Sequence, residues 1–255
     1  MSTPRFVTLA FPLVLLSAAQ VLWAQNSGDQ EAKEQPSRYE LRDISAHGSA
    51  IHVGGNVTFQ DNPAVVIRYS YQVDAFAKNA SKKQVLSWSV RFQTNGGSAT
   101  GLNLSYSHDY FFSGDVLAPG VSDSIQPSPI RFGRATVNGA PIAEDADSSR
   151  QATTASARVE FVQFTDGSTW GDSETEAEVF RERRETFHKL ESLQGIYSEQ
   201  GERAFLDALG EPTTLTCIES VKMDCQNNND NSSCALGAIH KMLESAHQYG
   251  FLEKP

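Results

Sequence analysis

The chain has 255 residues, of which 39% are apolar and 9% aromatic, enough to form a folded core, so a fully disordered chain is excluded. Its 18 Gly and 10 Pro are near average usage and exclude a collagen-like chain. Its net charge is -10, because 31 acidic residues outnumber 21 basic ones. Proteins that bind nucleic acid or an anionic membrane surface depend on clustered Lys and Arg. Neither is therefore expected as the main partner.

The first segment, residues 1–24, has the order of a secretory signal. Arg5 precedes an apolar stretch over residues 6–19, and small residues follow up to Ala24. A charged start, an apolar middle and a small-residue cleavage region are typical of signal peptides. The sequence therefore predicts export, with cleavage after Ala24.

A single membrane anchor is the alternative for this segment. It is disfavoured because Pro12 and Gln20 interrupt the apolar run, which is short for a span of about 20 residues. Residues 25–38 are polar and predict a disordered linker. The mature protein is expected to be secreted or periplasmic, without stable insertion in a membrane once the signal is removed.

Residues 39–171 show a period of two, which is typical of strands with one buried face. Turn residues such as Gly, Pro and Asn-Gly pairs separate these runs, and there is no room for crossover helices. The pattern predicts an antiparallel β-sandwich. Its expected strands lie near residues 39–46, 51–59, 67–73, 86–92, 102–106, 130–137 and 157–164.

Three motifs in this region carry a family resemblance. They are the stretch Asn79–Phe92, the turn Leu117–Gly120 and the strand end Phe164–Gly167. The region resembles the immunoglobulin-like β-sandwich domains of secreted bacterial proteins. That resemblance implies a role in binding, spacing or assembly, and it transfers no catalytic residue. The chain lacks the Cys-Trp-Cys arrangement of antibody domains, since its three cysteines follow the sandwich.

After Gly171 the apolar period becomes helical, so residues 172–255 are expected to form about four short helices. Ser173 with Glu176 three residues later resembles a capping box at the start of the first helix. Gly195 is expected to break or bend that helix. The apolar faces of these helices are narrow, so the helices are expected to pack on the sandwich.

The first helix is rich in charge. Its basic residues alternate with glutamates at three- and four-residue spacing; they are Arg181, Arg183, Arg184 and Lys189. This pattern favours an exposed helix with surface ion pairs. A helix that binds a partner or a second copy of the chain is the alternative.

Two kinds of residue suggest a site. His240, Glu244 and His247 share one face of the last predicted helix and are candidate metal ligands, although a solvated stripe is favoured over a metal site. Tyr110 and Trp170 lie near strand ends and are a candidate binding surface. For Trp170, packing at the junction between the sandwich and the first helix is the favoured interpretation.

The three cysteines lie in the helical region. Export to an oxidising compartment favours a disulfide. If the third and fourth helices form a hairpin, Cys225 and Cys234 face each other across the connecting loop, which leaves Cys217 free. Pairs of Cys217 with Cys225 or with Cys234 remain open.

No catalytic or cofactor motif is present, because the chain has neither a nucleophile elbow nor a phosphate-binding glycine loop. The sequence therefore favours a secreted, non-enzymatic binding or assembly module without a cofactor, whose ligand is a protein or a glycan. The alternative is a secreted enzyme or carbohydrate-binding accessory protein, with its site in the sandwich loops or at the sandwich–helix junction.

Overall fold

Strands come first and helices last in the chain, as a computed structural model shows. The structure describes residues 36–61, 67–95, 101–133, 136–137, 140–141, 154–226 and 231–250. The strands are β1 (Ser37–Asp43), β2 (Ile51–Asp61), β3 (Ile67–Asn79), β4 (Val85–Thr94), β5 (Asn103–Asp109), β6 (Ser122–Ile125), β7 (Ile130–Gly133), β8 (Thr136–Val137), β9 (Ala140–Pro141), β10 (Ala155–Phe164) and β11 (Thr169–Gly171). The helices are α1 (Ser173–Gln200), α2 (Glu202–Gly210), α3 (Thr216–Cys225) and α4 (Asn231–Tyr249). The prediction of a mainly β chain with a C-terminal α region is confirmed.

The predicted signal segment, residues 1–24, lies outside the described residues, as does most of the linker. The linker was expected to reach residue 38, but β1 already begins at Ser37. Ser37 and Arg38 pair with Phe59 and Thr58 of β2, so the end of the polar segment is part of the sheet.

Nine strands form one curled sheet, in the order β5-β4-β10-β1-β2-β3-β6, with β11 attached to β10 and β7 to β3. Strands β8 and β9 pair only with each other. The wholly antiparallel prediction is wrong at one described pair, because Leu41–Asp43 of β1 run parallel to β10. The first half of β1 pairs antiparallel with β2 instead. No crossover helix is needed, since most of the sheet lies between β1 and β10 in sequence.

The strand alternation produces the expected apolar face, and the helices contribute to the same core. Buried side chains of the sheet include Val57, Val73, Trp88, Val90 and Val162. The helices add Leu190, Phe205, Ile218 and Ile239 to the same apolar cluster. The described residues form one compact unit, in which the helices cover part of the sheet.

The turn from β11 into α1 fixes where the helix starts on the sheet. The Asp172 side chain caps α1 by accepting a hydrogen bond from the Thr175 amide at 3.0 Å, so the cap lies one residue before the predicted Ser173. Glu176 accepts a hydrogen bond from the Thr169 hydroxyl of β11 at 3.2 Å. Gly171 precedes the cap with φ +119°, and a Cβ there would overlap the Glu160 carbonyl oxygen. A glycine is therefore required at the junction.

The predicted break at Gly195 is wrong, because α1 continues to Gln200. A glycine inside a helix costs about 1 kcal/mol relative to alanine, which tertiary packing can outweigh. Leu190 and Leu193, five and two residues before Gly195, are fully buried and hold this part of α1 against its neighbours.

Candidate functional site: a polar cleft between the sheet and the helices

A row of three polar side chains crosses the sheet beneath α1. The strand register places Gln163 of β10 beside Ser87 of β4, and Ser87 beside Asp109 of β5. Directly paired residues of neighbouring strands point to the same face of a sheet. Ser87 and Gln163 are fully buried. The face that the alternation pattern assigned to solvent is therefore covered here by the helical region.

Arg183 of α1 lies over this row. Its Nε donates to Asp109 Oδ2 at 2.6 Å and its Nη2 to Asp109 Oδ1 at 2.7 Å. Its Nη1 donates to Gln163 Oε1. The guanidinium also lies 4.5 Å from the Phe111 ring centroid and 5.5 Å from that of Phe180. The positive charge of Arg183 is thus fully engaged by the protein.

The exposed position expected for Arg183 is wrong, since the residue is only 2% exposed. The neighbouring Arg181 does lie at the surface, where it pairs with Glu185 at 2.8 Å. The sequence does contain a signal that Arg183 is buried while Arg181 is exposed. Arg183 falls between Phe180 and Phe187 at spacings of three and four, which is the spacing of the buried seam of a helix.

A cleft of about 380 Å³ lies beside this ion pair. Ligand sites of soluble proteins typically have volumes of about 300–1,000 Å³. The sheet contributes Ser87, Ser107 and Asp109 to its lining, helix α1 contributes Val179, Glu182 and Thr186, and the later helices contribute Thr216, Cys217, Ser220 and Met242. The lining is thus rich in hydroxyl groups and has a few apolar side chains.

Two buried polar atoms of the row beneath Arg183 lack a hydrogen-bond partner. They are the Ser87 hydroxyl oxygen and the Gln163 amide nitrogen. A buried polar atom without a partner costs roughly 1–3 kcal/mol, so native proteins contain few of them. Of the two residues, only Ser87 is also in the described lining of the cleft.

Besides Asp109, the described lining of the cleft contains one acidic residue, Glu182. Burial, and then the negative charge of Asp109, raise the pKa of the Glu182 carboxyl above its ordinary value. Burial also raises the pKa of the Cys217 thiol, against the opposing effect of a hydrogen bond with Thr186. The cleft therefore holds a carboxylate that gains from a nearby positive charge and a thiol that ionises late.

A hydrogen-bonded network lies at the β5 side of the cleft. The Tyr110 hydroxyl donates to Asp123 Oδ2 at 2.7 Å, and His108 Nδ1 lies 2.9 Å from the same oxygen. The His108 ring stacks on Tyr110 at 4.2 Å between centroids. Burial first, and then the hydrogen bond to Asp123, raise the pKa of Tyr110. These contacts fix the orientation of His108, which also borders the cleft.

The aromatic residues proposed from the sequence occupy different places. Tyr110 is 8% exposed, so the structure does not present it at the surface. Trp170 is partly buried on β11, opposite Val162, and borders an open cavity of about 730 Å³. In the same cavity the buried Glu160 carboxylate pairs with Arg91 at 2.8 Å and with Arg158 at 3.0 Å.

The proposed metal ligands lie on the exposed side of α4. His240 Nε2 is 3.2 Å from Glu244 Oε1, and both side chains are more than half exposed. His247 makes an edge contact with the Phe187 ring at 5.4 Å. Within the described ranges, no three His, Cys, Asp or Glu side chains are grouped closely enough to hold a metal ion.

A disulfide joins helices α3 and α4. The structure bonds Cys225 to Cys234 with their Cα atoms 5.7 Å apart, and Cys217 is outside the bond. The separation is within the usual Cα range for disulfides, about 4.4–6.8 Å. The bond fixes the end of α3, the helix that carries Cys217 into the cleft.

Comparisons with known proteins give no relative for this chain. No protein-family model matches it, and neither the curated proteins nor the solved structures contain a significant match. In the described part of the chain, no helix has the length and apolar character that crossing a membrane requires. The proposals about function therefore depend on the geometry of the site.

Proposed function

We propose that the protein is an exported, non-enzymatic binding module whose ligand site is the cleft between β5 and helices α1 and α3. Export is supported by the order of charge and apolar residues in the first 24 positions. The Cys225–Cys234 disulfide is typical of a protein that works in an oxidising compartment.

The Ser87 hydroxyl is the observation that carries the proposal. It is fully buried, it has no hydrogen-bond partner, and it belongs to a residue that lines a cleft of about 380 Å³. The ion pair of Arg183 with Asp109 links helix α1 to strand β5 at the adjacent wall. A preorganised cleft with one unused polar group is suited to bind a small ligand at little conformational cost.

An immunoglobulin-like sandwich is the fold that we propose for the scaffold. In support, β1 pairs with β2 through its first half and with β10 through its second half, so that it connects two halves of the sheet. The apolar faces of both halves contribute to one core, as the two layers of a sandwich do. In such folds binding sites are added to a stable scaffold.

Cys217 provides a direct test of the ligand site, because its thiol lines the cleft. We would measure the rate of iodoacetamide alkylation of Cys217 with four probes: butyrate, 1,5-diaminopentane, N-acetylglucosamine and inorganic phosphate. The pH is set above the usual thiol pKa of about 8.5. We expect at least one probe to slow the alkylation saturably and to raise the thermal midpoint.

Two matched variants separate the cleft from the surrounding surface. Ser107→Phe fills the cleft, whereas Ser105→Phe places the same ring two residues earlier on the same face of β5, outside the lining. We expect slower Cys217 alkylation in the first variant only. Equal rates in both variants, with no effect of any probe, would show that the cleft is not a ligand site.

Export has its own test. We expect the exported protein to begin at Gln25, after removal of the segment that ends at Ala24. N-terminal sequencing and intact mass measure this directly. Recovery of a chain that still begins with Met1 and stays with the membrane fraction would contradict the export proposal.

A glycan site at Trp170 is the second candidate. It is supported by the open cavity of about 730 Å³ that Trp170 shares with Arg91 and Glu160, since an aromatic ring beside charged hydrogen-bonding groups suits a sugar. Titration with chitotetraose, followed by tryptophan fluorescence, tests it. Binding should disappear in Trp170→Ala and persist in Phe76→Ala, a variant at an exposed aromatic residue elsewhere.

A further inference from the structure

The geometry points to a small organic amine as the ligand of the cleft, with its ammonium group bound between the Glu182 carboxylate and the Ser87 hydroxyl. This inference rests on the proposed function and names the chemical class of the ligand.

The charges around the cleft determine the sign of the ligand. Arg183 is the one Arg or Lys in the described lining, and it is buried, bonded to Asp109 and Gln163 and stacked between two aromatic rings. The Arg183 guanidinium therefore has no exposed surface that an anion could contact. Among the described residues Glu182 forms no ion pair, and the same cleft already contains Asp109. A negatively charged ligand would be repelled there, whereas a cation would be attracted.

The hydrogen-bonding groups favour an ammonium group among cations. An ammonium group has three N–H donors and no acceptor. The cleft offers the Glu182 carboxylate and several hydroxyl oxygens, among them the unpartnered oxygen of Ser87. A bond from an ammonium group would remove the cost of leaving Ser87 without a partner. A quaternary ammonium group lacks these donors and would leave that cost in place.

The apolar part of the lining indicates which kind of group is attached to the ammonium group of the ligand. Val179, Phe112 and Met242 border the same cleft. Its volume of about 380 Å³ is near the lower end for ligand pockets, about 300–1,000 Å³. A short hydrocarbon chain attached to the ammonium group would contact these side chains and would fit the volume.

Glu182→Gln is the decisive variant, and calorimetry with 1,5-diaminopentane is the measurement. Loss of one charge-assisted hydrogen bond should weaken binding at least about tenfold. Glu178→Gln is the matched control, because Glu178 lies one turn earlier on α1, is 71% exposed and is outside the lining. We expect its dissociation constant to stay within about twofold of the wild type.

The thermal midpoint distinguishes lost binding from lost folding. Since burial and Asp109 raise the pKa of Glu182, ionisation of this carboxyl is less favourable in the folded chain than in the unfolded chain, which lowers stability at pH values above the ordinary carboxyl pKa. Glu182→Gln without ligand should therefore keep or raise the midpoint while it weakens binding. Ser87→Ala should likewise weaken binding severalfold and keep the midpoint, because the hydroxyl has no bond within the protein to lose.

The comparison probes are butyrate, 1-pentanol and tetramethylammonium, which test negative charge, no charge, and positive charge without N–H donors. If butyrate or 1-pentanol protects Cys217 and 1,5-diaminopentane does not, the amine inference is overturned and the binding function stands. Equal affinity of Glu182→Gln and wild type, or of tetramethylammonium and the diamine, also overturns it. If no probe of any class protects an alkylatable Cys217, the proposed function fails together with the inference.

Discussion

Replacing Arg183 by Met measures how much the buried ion pair stabilises the junction between α1 and the sheet. Met keeps an unbranched side chain but removes the charge and all the donors. The Asp109 carboxylate then loses both hydrogen bonds from the guanidinium, and the Gln163 carbonyl loses its donor as well. The contacts of the guanidinium with Phe111 and Phe180 are lost too.

The expected loss follows from the burial of the two partners. Breaking a buried ion pair by removing one partner costs about 3–5 kcal/mol. Arg183 is 2% exposed, but the Asp109 side chain is 29% exposed and regains some contact with water. We therefore expect about 3 kcal/mol, at the lower end of that range. For a protein of this size the thermal midpoint should fall by about 6–12 °C.

Urea unfolding, followed by tryptophan fluorescence, provides the measurement. A double-mutant cycle of Arg183→Met with Asp109→Asn should give a coupling free energy of at least about 1 kcal/mol. Arg184→Met is the control, because Arg184 is exposed on the same helix and should change the free energy of unfolding by at most about 0.5 kcal/mol. Equal effects of the two methionine variants, or no measurable coupling, would refute the argument.

Three further predictions follow from other parts of the structure. Gly171→Ala should lower the free energy of unfolding by more than about 2 kcal/mol, because its Cβ would overlap the Glu160 carbonyl at φ +119°. Gly195→Ala should raise the free energy of unfolding by about 0.5–1 kcal/mol, because the added Cβ would lie in open space. Urea unfolding measures both changes. Since burial raises the pKa of Cys217, its alkylation rate should rise at a higher pH than that of an exposed cysteine, which a pH series of iodoacetamide rates would show or disprove. Peptide mapping without reduction should yield one crosslinked pair, Cys225 with Cys234, and any crosslinked peptide that contains Cys217 would contradict the assignment.

The sequence alone established the succession of strands and helices. Alternation of apolar and polar residues has a period of two in a strand and about 3.6 in a helix, so the change after Gly171 is visible without any tertiary contact. The capping-box spacing of Ser173 and Glu176 located the cap of α1 to within one residue. Local chemistry could not decide between Asp172 and Ser173 as the cap, because both side chains are good caps.

The parallel pairing of β1 with β10 depended on the tertiary structure. Strand β1 has the same alternation whichever neighbour it takes, and its second partner, Ala155–Phe164, lies more than 100 residues further along the chain. Pairing between such distant segments is set by how the whole sheet closes. The continuation of α1 through Gly195 was decided in the same way, by the packing of buried Leu193 before the glycine and of partly buried Ile196 and Tyr197 after it.

The candidate site was likewise determined partly by the sequence and partly by the tertiary structure. The residue types at the junction were visible in the sequence, but Ser87 followed the pattern of a solvated strand face, Asp109 lay beyond the expected strand 102–106, and Arg183 followed the pattern of a charged helix. Only the tertiary structure places α1 across β4, β5 and β10, which buries Ser87 and pairs Arg183 with Asp109. Alternation reports that the two faces of a strand differ. Whether the polar face meets water or another part of the chain depends on contacts between residues far apart in sequence.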